Sequence, residues 1–252
     1  MGGISALAEC YRGKTAIVTG AASGIGRAVA QALADADCLV VAVDRDQPQL
    51  YALARVNPKS IEPMPMDVTK RDLVERFCEA WSDEPLHLLV NAAGIVPQAK
   101  LQDAVFPNAW SRALDVHVTA PMILTRALMP ALAAGGGAVV NLGSVQGVVH
   151  SENSLTASVS KGALAQLTRA MAVEAGPNRV RVNAVSPGLT HTPLGQSVIN
   201  DEAMSDAALA RTPLGRFADP RDIVGPVLFL GSDLAGHVTG AILPVDGGYL
   251  AN

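Results

Sequence analysis

A glycine-rich segment near the N-terminus, TAIVTGAASGIG, carries the first clear chemical signal of the chain. An apolar run ends at Gly20, and a helical pattern begins near Gly24 and Gly26. Glycines let a backbone turn tightly and approach a pyrophosphate, and the N-terminus of the following helix offers free N–H groups and a partial positive charge. The spacing therefore predicts a phosphate-binding turn that includes Ser23 and Ile25. A tight turn without a ligand is the simpler alternative.

An acidic residue, Asp44, follows the second apolar run. A carboxylate at this place accepts hydrogen bonds from the ribose hydroxyls of a dinucleotide and repels a 2′-phosphate. Ser23 adds no positive charge to the loop, and Arg45 is the nearby cation that would partly offset Asp44. The pattern favours NAD over NADP as the cofactor. The competing interpretation is an aspartate that only caps the next turn.

The elements that would position these residues are short apolar runs separated by helical patterns. Strands are predicted at 15–18, 39–43, 61–66, 86–90, 138–142, 180–185 and 241–245, and helices at 25–36, 68–81, 110–132, 155–175 and 223–230. The strand runs are continuously apolar, which is typical of a sheet covered on both faces, and intervening helices predict parallel pairing. The expected fold class is therefore α/β, a single domain over residues 1–252 with a doubly wound, Rossmann-like parallel sheet.

The composition agrees with a large buried core and excludes several classes of protein. Of the 252 residues, 49 % are hydrophobic and 17 % are charged, which excludes a disordered chain. The net charge of −4 gives no basic surface for nucleic acid. Three cysteines without metal-ligand spacing predict a reducing compartment and no metal site. Since neither a signal peptide nor an uninterrupted apolar span is present, we expect a cytoplasmic protein without a membrane partner.

Seven motifs in sequential order resemble those of the single-domain short-chain dehydrogenase/reductase family, over residues 13–250. They are TGxxxGxG at 19–26, the Asp67–Val68 pair near the adenine ring, NAAG at 91–94, a serine at the end of the fifth strand, SxSKGAL at 158–164, PGxxxT at 187–192 and VDGG at 245–248. The resemblance implies a bound nicotinamide dinucleotide and a small-molecule substrate that is a secondary alcohol or a ketone.

The cofactor site that the resemblance implies draws on most of these motifs. Its expected residues are Gly20, Ser23, Gly24, Ile25, Gly26, Asp44, Asp67, Val68, Asn91, Ala92, Ala93, Gly94, Lys161, Pro187, Gly188, Thr190 and Thr192. The residues expected to meet the substrate are Ser144, His150, Leu189 and Leu194. Some of these side chains have structural alternatives: Asn91 can bind neighbouring backbone, and the two threonines can be simple turn residues.

The catalytic positions of the family are only partly present. In the family, a tyrosine exchanges a proton with the substrate oxygen, and a lysine four residues later holds the nicotinamide ribose and lowers the pKa of the tyrosine. A serine thirteen residues before the tyrosine binds the substrate. Ser144 and Lys161 match, but both counts meet at Ala157. Alanine cannot transfer a proton, and the loss of a general acid costs about 10²–10⁴-fold in rate.

A second departure from the family is His117, which stands where the family has an asparagine that supports a water relay to the lysine. A histidine can relay protons with a pKa near working pH, or it can simply fill space in a helix. His150, in a segment with Ser151 and Glu152, is the best alternative acid by its ordinary pKa. A polar loop tip is the competing interpretation of that segment.

Two explanations of Ala157 stay open. A substitution in a competent parent would remove only the proton donor, and the presence of Ser144 and Lys161 supports it. A natural divergence would use the fold for other chemistry, and His117 supports it as an independent change. The first predicts an NAD-dependent oxidoreductase that turns over poorly. The second predicts a non-redox family member, either a cofactor-binding regulator or a catalyst that transfers no hydride.

Two further expectations concern mobility and assembly. The polar, alanine-rich segment 193–212 is predicted either to close over a ligand as a lid or to be an ordinary surface helix. The resemblance implies a homotetramer, in which the helices at 110–132 and 155–175 would pack against their symmetry mates. Their weakly charged sequences suit burial at such an interface.

Overall fold

Seven strands form one sheet through the centre of the molecule, in a computed structural model that describes residue 7 and residues 9–81, 84–97, 99–150 and 154–252. The strands are β1 (Thr15–Thr19), β2 (Leu39–Asp44), β3 (Ile61–Pro65), β4 (Leu88–Asn91), β5 (Ala138–Leu142), β6 (Arg181–Pro187) and β7 (Ile242–Val245). Their order is β3-β2-β1-β4-β5-β6-β7, and every neighbouring pair is parallel. The predicted doubly wound parallel sheet is confirmed.

Helices cover both faces of this sheet. They are α1 (Gly24–Ala34), α2 (Gln47–Val56), α3 (Arg71–Glu79), α4 (Phe106–Leu114), α5 (Ala120–Ala127), α6 (Met129–Gly135), α7 (Leu155–Ala175), α8 (Gln196–Ile199), α9 (Glu202–Ala210) and α10 (Pro220–Gly231). On one face, α1 and α10 bury Leu33 and Val227, and on the other, α3 and α5 bury Phe77 and Leu124. The inner strands β1, β2, β4, β5 and β6 are largely buried on both sides, which explains their continuous apolar sequences, while the edge strands β3 and β7 are partly exposed.

The single long helix predicted at 110–132 is wrong. The chain instead forms α4, a π-helical turn at Asp115–Thr119, α5, and then α6 at an angle of 60°. Pro121 and Pro130 account for the interruptions, because proline has no N–H for the helical hydrogen bond and its ring crowds the preceding turn. In the described part of the chain, no single helix is long and apolar enough to cross a membrane, and this bent pair passes only a test of length and composition.

Helix α2 was not predicted, although its start carries a recognisable signal. The Asp46 carboxylate accepts a hydrogen bond from the Gln49 N–H at 3.2 Å, and Pro48 lies in the first turn. Only Leu50, Leu53 and Ala54 of this helix are buried. So short an apolar stripe is a weak periodic signal, and the cap is the better one.

The segment 193–212 contains α8 and α9, and neither helix has a fully buried residue. This is the geometry of surface helices. Closure over a ligand stays a prediction.

The strand order reverses between β1 and β4, so the crossovers from these two strands run to opposite faces of the sheet. A crevice opens at the carboxyl ends of strands at such a switch point, and ligands of open α/β sheets bind there. The predicted phosphate loop follows β1, and the NAAG turn follows β4. The fold therefore brings the two motifs to one edge.

Candidate active site

The glycines of the phosphate loop are each needed where they lie. A Cβ atom on Gly20 would come within 2.6 Å of the Ala92 carbonyl oxygen, and one on Gly26 would overlap the Gly20 carbonyl. Gly24 has a φ of +53°, in the left-handed region that glycine adopts without strain. The loop therefore folds tightly on itself and against the turn after β4, where a side chain at Gly20 or Gly26 would clash with backbone.

Helix α1 begins inside this loop with uncapped backbone N–H groups. Ser23 lies at the N-cap position, but its side chain makes no capping hydrogen bond. Free N–H groups and the helix dipole at this end suit an anion such as a pyrophosphate. Ile25 packs against the core and so leaves the loop backbone open. The loop therefore fits the diphosphate of a nicotinamide dinucleotide.

Asp44 lies at the end of β2, next to the loop. One carboxylate oxygen accepts a hydrogen bond from the Ala22 N–H at 3.0 Å, and the other accepts one from the Asp46 N–H at 2.9 Å. These bonds fix the orientation of the carboxylate and leave lone pairs for a ribose hydroxyl. The turn-capping alternative and the binding role are therefore compatible.

Asp67 and Val68 follow β3 at the same edge. Burial would raise the pKa of Asp67, but hydrogen bonds from the Thr69 N–H and hydroxyl, with the charges of Arg45 and Lys70, outweigh it and lower that pKa. Arg45 is therefore close enough to Asp67 for the two charges to interact. Its cationic charge is partly offset before any phosphate binds.

The NAAG turn after β4 is held by Thr19. The Thr19 Oγ1 accepts hydrogen bonds from the N–H groups of Ala92 and Ala93, at 3.1 and 3.2 Å. Thr19 was not among the predicted site residues. The signal was present, since it is the first residue of the TGxxxGxG motif.

The side chain of Asn91 links the strands to α7. Its Nδ2 donates to the Asn141 Oδ1 at 2.9 Å, and the Asn141 Nδ2 donates to the Thr168 Oγ1 at 3.0 Å. This is the structural alternative considered for Asn91. Its Oδ1 is buried and has no hydrogen-bond partner among the described residues.

Ser144 follows β5 and caps the short 3₁₀ turn Val145–Gly147. Its Oγ accepts a hydrogen bond from the Gln146 N–H at 3.2 Å, which leaves the hydroxyl proton for another acceptor. A Cβ atom on Gly147 would lie 2.9 Å from the Lys161 carbonyl oxygen. The turn is thus seated on α7, and Ser144 and Lys161 lie in one corner of the structure.

Lys161 lies against the end of β5. Its Nζ donates a hydrogen bond to the Leu142 carbonyl oxygen at 2.6 Å, and Leu142 precedes Ser144 by two residues. Burial lowers the pKa of Lys161 to about 8. No carboxylate pairs with it among the described residues. The ammonium group is charged at neutral pH and loses its charge in the mildly alkaline range.

Ala157 is buried on α7, one turn before Lys161. Its methyl group brings no acid–base chemistry to the position where the family resemblance expects a phenol. The tyrosines of the chain do not replace it: Tyr11 is buried with its hydroxyl bound to backbone, Tyr51 lies on α2, and Tyr249 lies under a guanidinium near the C-terminus.

His117 lies in the π-helical turn and is 2 % exposed. Its Nε2 accepts a hydrogen bond from the Ile95 N–H at 3.2 Å, and its Nδ1 lies 2.8 Å from the Ser160 Oγ. Burial, together with the charge of Lys161, lowers the pKa of His117 to about 2. The ring is neutral at working pH and both nitrogens are engaged, which leaves no free site for a proton relay.

His150 is exposed, and its Nδ1 lies 3.1 Å from the Ser158 Oγ. This contact holds the ring near the N-terminal turns of α7. Ser151 and Glu152, named with it from the sequence, lie outside the described residues.

The segment after β6 returns to the phosphate loop. A Cβ atom on Gly24 would lie 3.1 Å from the Thr192 Cγ2, so the PGxxxT motif borders the phosphate loop. The Thr190 Oγ1 donates to the Gly188 carbonyl oxygen at 2.9 Å, and the Thr192 Oγ1 accepts from the Gly195 N–H at 3.1 Å. The threonines thus act as turn residues in a turn that faces the predicted cofactor site. Pro187 ends β6 immediately before it.

The segment 193–212 is fastened at both ends. Thr190 and Ala218 form a parallel bridge at its base. Leu214 donates its N–H to the Gly247 carbonyl oxygen at 3.1 Å, on the VDGG turn. A Cβ atom on Gly248 would lie 2.9 Å from Pro213. The glycines of the C-terminal motif therefore make room for the strand of chain that leaves the predicted lid.

A cavity of about 190 Å³ is lined by Gly188, Leu189 and the VDGG turn. A second cavity, of about 500 Å³, lies between β3 and α3 and includes none of the predicted site residues. Leu194 is exposed and does not line the smaller cavity. Among the described residues, no group of three or more His, Cys, Asp and Glu side chains is placed to hold a metal ion.

Comparisons with known proteins extend over nearly the whole chain. Residues 20–250 match the family model described as enoyl-(acyl carrier protein) reductase. The chain is 39 % identical over 243 residues to L-xylulose reductase of Bos taurus, covering 95 % of this chain and 97 % of that protein. It is 38 % identical over 252 residues to cis-4-hydroxycyclohexanecarboxylate dehydrogenase of Sinomonas cyclohexanicum, covering 97 % and 100 %.

A solved structure from Beutenbergia cavernae, assigned as an NAD(P)-dependent gluconate 5-dehydrogenase with NADP bound at low occupancy, superposes with a TM-score of 0.88. The two chains are 34 % identical, and the match covers 96 % of this chain and 98 % of that one. Sequence, topology and the placement of the motifs agree. The chain therefore belongs to the short-chain dehydrogenase/reductase family of NAD(P)-dependent oxidoreductases.

Proposed function

We propose that this protein is an NAD-dependent oxidoreductase that interconverts a secondary alcohol and a ketone, and that Ala157 makes it slow. One observation carries the proposal: the phosphate loop and the Ser144–Lys161 corner are intact around a methyl group at position 157. The names of its relatives, a xylulose reductase and a hydroxycyclohexanecarboxylate dehydrogenase, support a secondary alcohol or ketone as the substrate class.

The preference for NAD rests on Asp44. Its carboxylate lies where a ribose hydroxyl would donate a hydrogen bond, and it would repel a 2′-phosphate. Arg45 opposes this preference, but its charge is shared with Asp67. The Beutenbergia cavernae structure holds NADP, so the choice between the two cofactors is specific to each chain. When bound, the nicotinamide supplies or accepts a hydride.

The residues of the corner would act on the substrate oxygen. Ser144 can donate a hydrogen bond from its hydroxyl group to a carbonyl oxygen, because its own oxygen already accepts one from the Gln146 N–H. Lys161 places a positive charge behind it. Neither His117, which is neutral and fully bonded, nor Ala157 can supply the proton. On this proposal, Ser144 and Lys161 bind the substrate oxygen, and the protein lacks a side chain that transfers a proton to it.

The test compares Ala157→Tyr with Ala157→Phe, which fills the same space without a hydroxyl. NADH consumption and formation are measured with sugar, cyclic and acyl ketones and alcohols. We expect Tyr to raise kcat by on the order of 10²-fold or more and Phe to give no gain. Equal rates for all three proteins would contradict the proton-donor explanation.

A non-redox role is the second candidate, and the paired changes at Ala157 and His117 favour it. On this alternative, the protein binds NADH but the Ala157→Tyr variant gains nothing with any substrate. The same measurements therefore separate the two functions.

We further propose a cytoplasmic homotetramer built from one domain per chain, with segment 193–212 acting as the lid. Val159 and Val173 are exposed on α7, and they would be buried against a symmetry mate. Sedimentation at micromolar concentration is expected to give four chains per particle. A monomer would contradict this assembly.

A further inference from the structure

The hydrogen bonds of His117 define its protonation state completely. The Ser160 hydroxyl has one proton, and two carbonyl oxygens that can only accept lie close to it, Thr156 O at 2.6 Å and Ala157 O at 3.2 Å. That proton is therefore given to the backbone, and Ser160 must accept from His117. The imidazole proton is on Nδ1, and the Nε2 lone pair is left to accept the Ile95 N–H.

This arrangement joins two elements that carry parts of the site. Ile95 follows the NAAG turn, whose other end is held by Thr19. Ser160 immediately precedes Lys161 on α7. A second tie lies one turn earlier, where the Thr156 Oγ1 donates to the Pro97 carbonyl oxygen at 3.0 Å. The loop after β4 is thus fixed to α7 at two points on either side of position 157.

We propose that His117 is a positioning residue, which with Ser160 fastens the NAAG turn to the turn of α7 that carries Lys161 and thereby shapes the nicotinamide end of the cofactor site. His117 transfers no proton in this role. The inference rests on the proposed function in one respect, that the ligand is a nicotinamide dinucleotide. Lys161 is the charged group that faces the ring among the described residues.

The reach of the side chain gives a sharp set of variants. The side-chain amide of asparagine reaches only the position of the histidine Nδ1. His117→Asn therefore keeps the contact to Ser160 and loses the one to Ile95. Glutamine can place an acceptor where Nε2 is, so His117→Gln keeps the bond to Ile95. Ser160→Ala removes the other end of the link. Thr125→Val changes a buried residue of α5 away from the link and serves as the control.

Two measurements are made on the full chain. Amide hydrogen exchange at Ile95 is expected to be faster in His117→Asn and close to the parent in His117→Gln. NADH affinity, from fluorescence titration, is expected to fall roughly 3–10-fold in His117→Asn and Ser160→Ala, the range of one lost hydrogen bond, and to be unchanged in Thr125→Val. In the parent, the affinity should be flat between about pH 5.5 and 7, where an ordinary histidine titrates.

The outcomes separate this inference from the proposed function. Unchanged exchange at Ile95 and unchanged NADH affinity in His117→Asn would overturn the positioning role, and so would a histidine-like inflection that the parent shows and His117→Asn lacks. If the parent does not bind NADH while Ile95 exchange still depends on His117, the cofactor assignment fails and the link itself stands. If NADH binds tightly and His117→Asn binds equally well, the proposed function survives without this link.

Discussion

The two ends of the cleft differ in how their chemistry is held. On the side of β1 and β2, the groups are backbone N–H donors and one carboxylate, and glycines fix the geometry. On the side of β5 and α7, the groups are the side chains of Ser144 and Lys161. A site made of backbone cannot lose a group by substitution without refolding. A site made of side chains can, and the proposed loss of the proton donor at position 157 is such a case.

The largest expected effect is on NADH affinity and comes from a change in the phosphate loop. Gly26→Ala would force its methyl group onto the Gly20 carbonyl, and overpacking of this kind costs about 1–3 kcal/mol. We expect NADH affinity to fall by on the order of 100-fold. Gly225→Ala on α10 is the matched control, since nothing lies within 4 Å of its Cβ position. Normal NADH binding by Gly26→Ala would show that the loop tolerates a side chain.

Asp44 tests a carboxylate on that half. Asp44→Ser removes the charge that would repel a 2′-phosphate, and we expect the ratio of NADH to NADPH affinity to fall by about tenfold or more. Asp46→Asn keeps the cap of α2 and should leave the ratio unchanged. Titration with both cofactors measures it. A parent that prefers NADPH would reverse the assignment.

The side of β5 and α7 is tested by the pH dependence of NADH binding, because burial lowers the pKa of Lys161 to about 8. An anionic cofactor favours the protonated lysine, so the affinity for NADH should be full below pH 8. It should decline a few-fold as the pH rises through about 8. Lys161→Arg keeps its charge over this range and should remove the decline. Fluorescence titration between pH 6 and about 9.5 measures both proteins. A flat parent profile would mean that Lys161 does not interact with the cofactor.

The smallest expected effect is on the free energy of unfolding and concerns the buried hydroxyl group of Thr125. The Thr125 Oγ1 is buried without a partner among the described residues, like the Asn91 Oδ1. Thr125→Val should raise the free energy of unfolding by about 1 kcal/mol, because the unbonded hydroxyl is removed at nearly constant shape. Denaturant unfolding measures this. A destabilised variant would show that the hydroxyl has a partner, such as water.

The sheet could be predicted because buried parallel strands are continuously apolar. The run at 138–142 and the helix at 155–175 match β5 and α7 at both ends. Helix prediction failed where hydrophobic periodicity and backbone chemistry disagree: the pattern at 110–132 continues through Pro121 and Pro130, which the backbone cannot follow. Periodicity gives the faces of a helix, and proline gives its interruptions.

The site divides in the same way. Motif spacing located the phosphate loop and the corner of Ser144 and Lys161, because both depend on local turns. It could not show that His117 is buried and neutral, since that follows from partners 22 and 43 residues away in sequence. The role of Ser160 was missed for the same reason. A residue type suggests its chemistry, and only the surrounding contacts decide which protonation state it keeps.

The attachment of segment 193–212 has a consequence for protein engineering. Its base is closed by a bridge between Thr190 and Ala218, and its exit is bonded to the VDGG turn, so backbone contacts hold both ends while α8 and α9 have no fully buried residue. The residues between these two attachment points form a unit that can be exchanged as a whole. A loop from another member of the family, grafted between them, would change this segment while leaving the sheet and the phosphate loop unaltered.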